Sequence, residues 1–333
     1  MTATLPCAKT LDLVSIGDLM IDFTCLGPNE SGRLTFERNP GGAPMNVAAQ
    51  LARLGGDAAV VACVGSDEHG DYLREAMQSQ GVDVANVSSS STHGTRLLFV
   101  YFRDGNDRYF SEYRGPRADL EIQPDSVDYS LVERARVLLF SPLCNSYDRP
   151  IHETTRLAVE AAVRSGGLLA FDPNFRFPYT DGKLRDLDLE AIRSAHVLKM
   201  TSEEFEYYLG ETDVMRGSDR LLERNARIVA VSMGRGGSFI RGRNGFAYRP
   251  ARSVRAVDTT GAGDSFMGAL LYQLTRPGVD IDSLATEALG RIAAFANACA
   301  AASTMRRGSL LVMPDMEMAV RIMNSVPEAE PVM

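Results

Sequence analysis

The 333-residue chain carries 43 acidic against 35 basic residues, a formal net charge of −8 that argues against a nucleic-acid footprint. Its 45% hydrophobic and 23% charged residues describe a globular chain with ample core in one large or two modest domains, and with no run of 18 apolar residues it excludes a transmembrane helix. The five cysteines (Cys7, Cys25, Cys63, Cys144, Cys299), odd in number and never closely spaced, argue against a disulfide framework or a zinc site and fit a reducing cytoplasm, as does a start without the basic-then-apolar pattern of a secretory signal.

The first apolar run, 11–16, reads as a strand ending on Gly17-Asp18. Ligands bind at the C-terminal ends of parallel strands, so Asp18 is placed either to accept hydrogen bonds from a polyol or to cap a turn. Gly41-Gly42-Ala43-Pro44-Met45-Asn46 then opens a helix over 44–54, with the proline as its start signal. The glycines permit close backbone approach by a ligand, and Asn46 offers a donor and an acceptor one turn in; a plain Gly-rich helix entry is the alternative. A strand at 58–64 and a helix at 69–79 follow.

Two segments, 24–39 and 95–113, lack a helical period and carry alternating, aromatic runs; 97–103 and 108–113 flank the turn Asp104-Gly105-Asn106-Asp107. They are expected to form a small β-sheet projecting from the main body, serving as a lid over a site, an exposed flap or a dimer surface. The chain thereby divides into a main α/β unit over 10–23, 40–94 and 115–325, a lid over 24–39 and 95–114, and a loose tail over 326–333. Apolar strand faces such as Leu98, Val100 and Phe102 need cover, which two lids packed together in a homodimer would supply.

Further along, strands at 137–140, 168–171, 196–200 and 228–232 alternate with helices at 151–165, 203–209 and 219–224, which implies βαβ units and a mainly parallel sheet covered on both faces. Asp172-Pro173-Asn174-Phe175-Arg176 follows one strand, as site residues or as ordinary loop polarity. Ser232-Met233-Gly234-Arg235-Gly236-Gly237 follows another and suits a backbone wrapped around phosphates, although a lone glycine cluster is weak evidence. Asn244-Gly245 marks a hairpin, and long helices are expected over 264–274 and 283–302. The four histidines scatter, with surface or capping roles expected and no metal site among them.

The most informative stretch is Asp258-Thr259-Thr260-Gly261-Ala262-Gly263-Asp264-Ser265-Phe266. A small-residue turn running into a helix leaves backbone N–H groups pointing one way and, with the helix dipole, makes an anion site. A carboxylate in the same first turn, Asp264, can take a proton from a hydroxyl beside that anion, although Asp also favours helix starts on stability grounds alone. The chain has no Gly-x-x-x-x-Gly-Lys-[Ser/Thr] loop, no Gly-x-Gly-x-x-Gly after its first strand, no Gly-x-Ser-x-Gly and no His-Glu-x-x-His.

In this order and at this separation, 41–48 and 258–266 resemble the two signatures of the PfkB, or ribokinase-like, carbohydrate kinases, and the resemblance runs from Leu11 to about Pro314. Tyr113-Arg114-Gly115-Pro116-Arg117-Ala118-Asp119 and the 171–176 stretch are similar to the fructokinase branch. The resemblance implies a three-layer α/β/α fold with a β lid, and transfer of the γ-phosphoryl of Mg-ATP to a sugar hydroxymethyl group, D-fructose to fructose 6-phosphate first. By it, Asp264 is the base and Gly261, Ala262 and Gly263 form the anion hole; Asp18, Gly41, Gly42, Asn46 and Arg176 hold the sugar, with Arg114 as a lid contact. Ser232, Gly234 and Gly237 border the ATP phosphates and Asn297 the adenine; Asp258, Thr260, Ser303 and Gly308 match a region that holds K⁺ or another monovalent cation.

One departure stands out. The family's Asn-x-x-Glu motif, which organises Mg²⁺ through water, reads Thr201-Ser202-Glu203-Glu204 here, keeping only the acid. The alternatives are another PfkB kinase, acting on 2-keto-3-deoxygluconate (with Arg103 or Arg114 for its carboxylate), ribose or a nucleoside (with Phe99, Tyr101 and Phe110 around its base), or a non-catalytic sugar-binding or scaffold protein.

Overall fold

The computed structural model describes residues 9–102, 108–113, 115–175 and 182–329. The expected alternation of strands and helices is present. From the start of the chain come β1 (Leu11–Ile16), β2 (Met20–Pro28), β3 (Leu34–Gly41), α1 (Ala43–Arg53), β4 (Ala58–Gly65), α2 (Glu68–Ser79) and β5 (Asp83–Ser90). Then follow β6 (Leu97–Phe102), β7 (Arg108–Glu112), α3 (Tyr129–Arg134), β8 (Ala135–Phe140), α4 (Pro150–Arg164) and β9 (Leu168–Phe171). After these come α5 (Gly182–Ser194), β10 (Val197–Thr201), α6 (Ser202–Leu209), α7 (Val214–Leu222) and β11 (Ile228–Ser232). The chain closes with β12 (Ser238–Gly242), β13 (Gly245–Arg249), α8 (Ala262–Leu274), α9 (Thr286–Ser303) and α10 (Met316–Ser325).

Nine strands form one sheet in the order β13-β12-β11-β10-β9-β8-β1-β4-β5, parallel from β11 through β5 and antiparallel in the closing hairpins. Its inner strands are buried and mostly apolar because both faces are covered, with Asp12, Ser15 and Lys199 as buried exceptions. Alternate residues serve opposite faces. Leu13, Val60, Ala62, Val137 and Ile228 pack with α1, α8 and α9, whereas Val14, Ile16, Val61, Leu138 and Val229 pack with the α3–α7 side.

A second sheet, in the order β3-β2-β6-β7, has antiparallel outer pairs around a parallel β2/β6 pair. It begins at Met20 and returns at Gly41, so it springs directly from the loop after β1. One face carries a row of aromatic contacts: Phe23 stacks on Phe99 at 5.3 Å, Phe36 meets Phe99 and Tyr101 edge-on, and Tyr101 lies 5.7 Å from Tyr109. The expectation that Leu98 and Val100 need outside cover is not met, since they are 7% and 5% exposed. Among the described side chains of this sheet, Leu26, Leu34, Tyr109 and Phe110 are the exposed large apolar ones.

Element boundaries differ from those expected where a side-chain cap sets the helix start. The helix expected over 219–224 is α7, which begins at Val214 because the Asp213 carboxylate caps the N–H groups of Met215 and Arg216. His196, expected in a surface or capping role, is half-buried; its Nδ1 accepts the Leu169 N–H at 2.9 Å and so ties β9 to β10. Among the described residues no helix is long and apolar enough to cross a membrane, and Cys25, Cys63, Cys144 and Cys299 are all unpaired thiols.

Candidate active site

Because β1, β9, β10 and β11 run the same way, Asp18, Asp172, Thr201 and Ser232 all emerge at one edge of the main sheet. The N-terminal motif is folded onto this edge by its glycines. Gly42 has φ 114° and a Cβ there would overlap the Asp18 carbonyl oxygen, so the turn opening α1 lies flat on the backbone of Asp18. Gly41 is likewise backed by the Asp22 carboxylate.

One turn into α1, the Asn46 Nδ2 donates to Asp264 Oδ2 at 2.8 Å, and both side chains are buried. This bond joins two motifs that lie 218 residues apart in the chain. Asn46 Oδ1 is buried without a partner among the described residues, an acceptor available to a ligand hydroxyl. Asp264 itself stands in the first turn of α8. Gly261 enters that helix in the left-handed conformation at φ 76°, and Ser265 N–H closes the first turn onto the Gly261 carbonyl at 2.8 Å. The Ala262 N–H donates to the Thr259 carbonyl at 3.3 Å, and the turn stands at the positive end of the helix dipole.

A buried lysine lies directly beneath. Lys199, at the centre of β10 and 3% exposed, holds its Nζ 3.0 Å from Asp172 Oδ2 and 3.3 Å from Oδ1. A Cβ on Gly263 would stand 3.0 Å from that ammonium, which places it against the first turn of α8. Burial works against the charge, but the carboxylates of Asp172, Glu204 and Asp264 outweigh it and hold Lys199 cationic, above the ordinary lysine pKa. Lys199 sits inside an apolar run and carries no motif; its signal in the sequence is that a lysine in a fully buried strand is rare unless paired.

The loop after β9 is also organised. Asn174 adopts φ 38°, its N–H donating to Asp172 Oδ1 at 3.1 Å, and the Phe175 N–H donates to Glu204 Oε1 at 2.6 Å. Glu204 Oε2 accepts the Thr201 N–H at 2.7 Å while Thr201 Oγ1 accepts the Glu204 N–H at 3.1 Å. Thr201 is therefore the N-cap of α6 in a capping box, which gives a physical reason for threonine at that position. Burial raises the Glu204 carboxyl above the usual range. Each of its oxygens accepts one backbone N–H and keeps a second lone pair, so it fits a water-mediated metal contact. Arg114 and Arg176 lie outside the described residues.

On the neighbouring strand, Ser232 Oγ donates to the Met200 carbonyl at 3.4 Å. Gly234 and Gly237 take φ 53° and 95°, and the Gly237 Cα packs on the Arg249 carbonyl, where a Cβ would clash. Asn297, from α9, donates through Nδ2 to the carbonyls of Arg249 and Pro250 at 2.9 and 3.0 Å. The glycine loop, the end of β13 and Asn297 are thus brought together, with Asn297 holding the backbone there. Next to α8, Asp258 Oδ1 accepts from the N–H and hydroxyl of Thr260 at 2.9 and 2.7 Å, and Oδ2 accepts the Gly308 N–H at 3.2 Å. Ser303 does not join this group by its side chain, which donates to the Ala300 carbonyl of its own helix at 2.8 Å. No cluster of three or more His, Cys, Asp or Glu side chains able to hold a metal occurs among the described residues.

A mainly parallel sheet carries a smaller sheet at the C-terminal ends of its strands, with the buried Asp264 carboxylate in the first turn of a helix beside them. The family model for pfkB family carbohydrate kinases matches residues 10–316. Fructokinase-1 of Zea mays is 34% identical over 312 residues, covering 91% of this chain and 94% of the maize protein. Among solved structures, fructokinase with bound ATP from Xylella fastidiosa superposes with a TM-score of 0.81 at 28% identity, covering 93% of this chain and 98% of that one. A double-mutant fructokinase from Vibrio cholerae O395, in a form with fructose, ADP and potassium ion bound, gives 0.81 at 25% identity, covering 94% and 98%. The chain belongs to the pfkB family and is a carbohydrate kinase, a phosphotransferase.

Proposed function

We propose that the protein phosphorylates D-fructose on a hydroxymethyl group at the expense of ATP, with Asp264 as the general base. The observation that carries this reading is the Asn46–Asp264 bond, which puts a sugar-side amide and a buried carboxylate at one point beside the start of α8. The maize relative is a fructokinase, the Xylella structure binds ATP and the Vibrio structure binds fructose and ADP, all over nearly the full length of this chain.

In this mechanism Asp18, Asn46 and the Gly41-Gly42 turn hold the sugar, joined by Arg114 and Arg176. Asp264 accepts the proton of the sugar hydroxyl as its oxygen forms a bond to the γ-phosphorus, and the bond to the bridging oxygen of ADP breaks. Gly261, Ala262 and Gly263 at the helix start, with the Lys199 ammonium beneath, offset the charge that builds on the transferring group. Ser232, Gly234 and Gly237 border the nucleotide phosphates, and Asn297 shapes the adenine side. Mg²⁺, when bound with ATP, neutralises phosphate charge, and Glu204 is the carboxylate that would hold its water. Asp258, Thr260 and Gly308 shape a loop whose backbone carbonyls, with that of Ser303, would take K⁺. The smaller sheet acts as the lid over 24–39 and 95–114 that excludes water, and its exposed Leu26, Leu34, Tyr109 and Phe110 suit a second lid in a cytoplasmic homodimer.

The test is ADP release from Mg-ATP with fructose, ribose, 2-keto-3-deoxygluconate, adenosine or fructose 6-phosphate. Turnover with fructose well above the others is expected. Turnover with another compound and not with fructose would correct the substrate, and none with any of them would remove the reading.

A further inference from the structure

Ser232 at the end of β11 pairs with Ser238 at the start of β12, and residues 233–237 turn between them. Three backbone hydrogen bonds close this turn on itself. The Met233 N–H donates to the Gly237 carbonyl at 2.9 Å, the Gly236 N–H to the Met233 carbonyl at 2.9 Å, and the Gly237 N–H to the Gly234 carbonyl at 3.1 Å. The N–H groups of Gly234 and Arg235 take no part in these bonds. A fourth bond comes from outside the turn. Tyr248, on the edge strand β13, pairs with Phe239, the second residue of β12, and its hydroxyl donates to the Gly236 carbonyl at 2.6 Å. The next residue backs the same turn, since the Arg249 carbonyl lies where a Cβ on Gly237 would fall.

We propose that Tyr248 is a positioning residue for ATP: its hydroxyl fixes the direction of the peptide groups in the 233–237 turn, so that the Arg235 N–H faces outward as a donor to the nucleotide phosphates. This rests on the proposed reading of 232–237 as the border of those phosphates and adds the residue that orients it.

In a trans peptide the carbonyl and the following N–H point in opposite directions. Holding the Gly236 carbonyl toward Tyr248 therefore turns the Gly237 N–H away from the phenol and onto the Gly234 carbonyl. That carbonyl in turn points into the loop, which sends the Arg235 N–H out of it. One hydroxyl thus sets two peptide planes in succession. Glycines give the turn the freedom to adopt φ 53° at Gly234 and 95° at Gly237, and the same freedom lets its peptides rotate unless something holds them. A rotated 234–235 peptide would present a carbonyl oxygen, not a donor, to an anion. Turns of this kind bind anions only when their N–H groups converge on one side, and fixing them before the ligand arrives spares the cost of ordering them on binding.

The experiment compares wild type with Tyr248→Phe by steady-state kinetics in ATP and in fructose, by calorimetric ADP binding without magnesium, and by thermal unfolding. Removing only the hydroxyl should raise the ATP KM and the ADP Kd about three- to tenfold, the effect of one neutral hydrogen bond. The fructose KM and the kcat at saturating ATP should stay within about twofold, because the lost interaction serves nucleotide binding alone. Tyr248 is 41% exposed and water can take over the Gly236 carbonyl, so the melting temperature should fall by no more than about 2 °C. An ATP KM and ADP affinity equal to wild type, or a fructose KM that rises in step with that for ATP, would overturn the inference while leaving the kinase reading intact. A Tyr248→Phe variant that does not fold would overturn it as well, by showing that the hydroxyl serves the fold. A wild type that binds no ADP and turns over no ATP would overturn the kinase reading itself.

Discussion

Two single residues show how closely the site is fitted. At Gly42, any side chain meets the Asp18 carbonyl and must also adopt φ 114°. Gly42→Ala is therefore expected to cost about 1–3 kcal/mol of stability and to raise the sugar KM, read by urea unfolding and steady-state kinetics. A variant as stable as wild type with an unchanged KM would contradict the close approach. Lys199 makes the opposite point. Lys199→Met leaves Asp172 buried without its counter-charge and should cost about 3–5 kcal/mol, with kcat falling as well; stability within about 1 kcal/mol of wild type would refute the pairing. Asp264 and Asn46 were legible in the sequence because each sits in a small-residue helix entry with a clear chemical sense. Lys199 was not, because its partner Asp172 is brought alongside only by the β9/β10 pairing, which local pattern does not reveal.

At the scale of elements, α1 and α8 are the working pair. Gly268 lets them approach, for a Cβ there would strike Gln50. Gln50 is fully buried; its Oε1 accepts the Ser265 hydroxyl at 2.6 Å and its Nε2 donates to the Pro314 carbonyl at 3.0 Å. Gln50→Leu should leave both partners unsatisfied, costing about 1–3 kcal/mol for each. It should also lower kcat by about tenfold or more by disturbing the Asn46–Asp264 alignment one turn away. Loss of stability with unchanged kcat would show that the alignment does not depend on this contact. The helices and central strands of this region were readable from periodicity and from proline and glycine signals. β5 was not, because as an edge strand rich in serine it alternates burial without an apolar run. α5 and α10 are hard to read because charge interrupts their apolar stripes, and the start of α7 because it is set by the Asp213 cap and not by an apolar period.

In the whole molecule, two sheets meet at Asp18, with Asp264 and the start of α8 beside the larger and the smaller reaching back through Arg96 and Glu112. Composition and order of motifs made the fold and family plain; the joint between the sheets was not foreseeable, because Arg96 and Glu112 carry no motif, and the 113–119 stretch that holds Arg117 and Asp119 meets them only when β6 and β7 pair beside β2. The central claim is that this assembly brings a sugar hydroxyl to Asp264. The most direct measurement is ADP formation with Mg-ATP and fructose for Asp264→Asn beside wild type, with fructose binding followed by calorimetry. The amide keeps an oxygen to accept the Asn46 bond but cannot take the proton. Fructose affinity within about threefold of wild type and kcat lower by about 10²–10⁴ are expected. Near-normal turnover in the Asp264→Asn variant would contradict it.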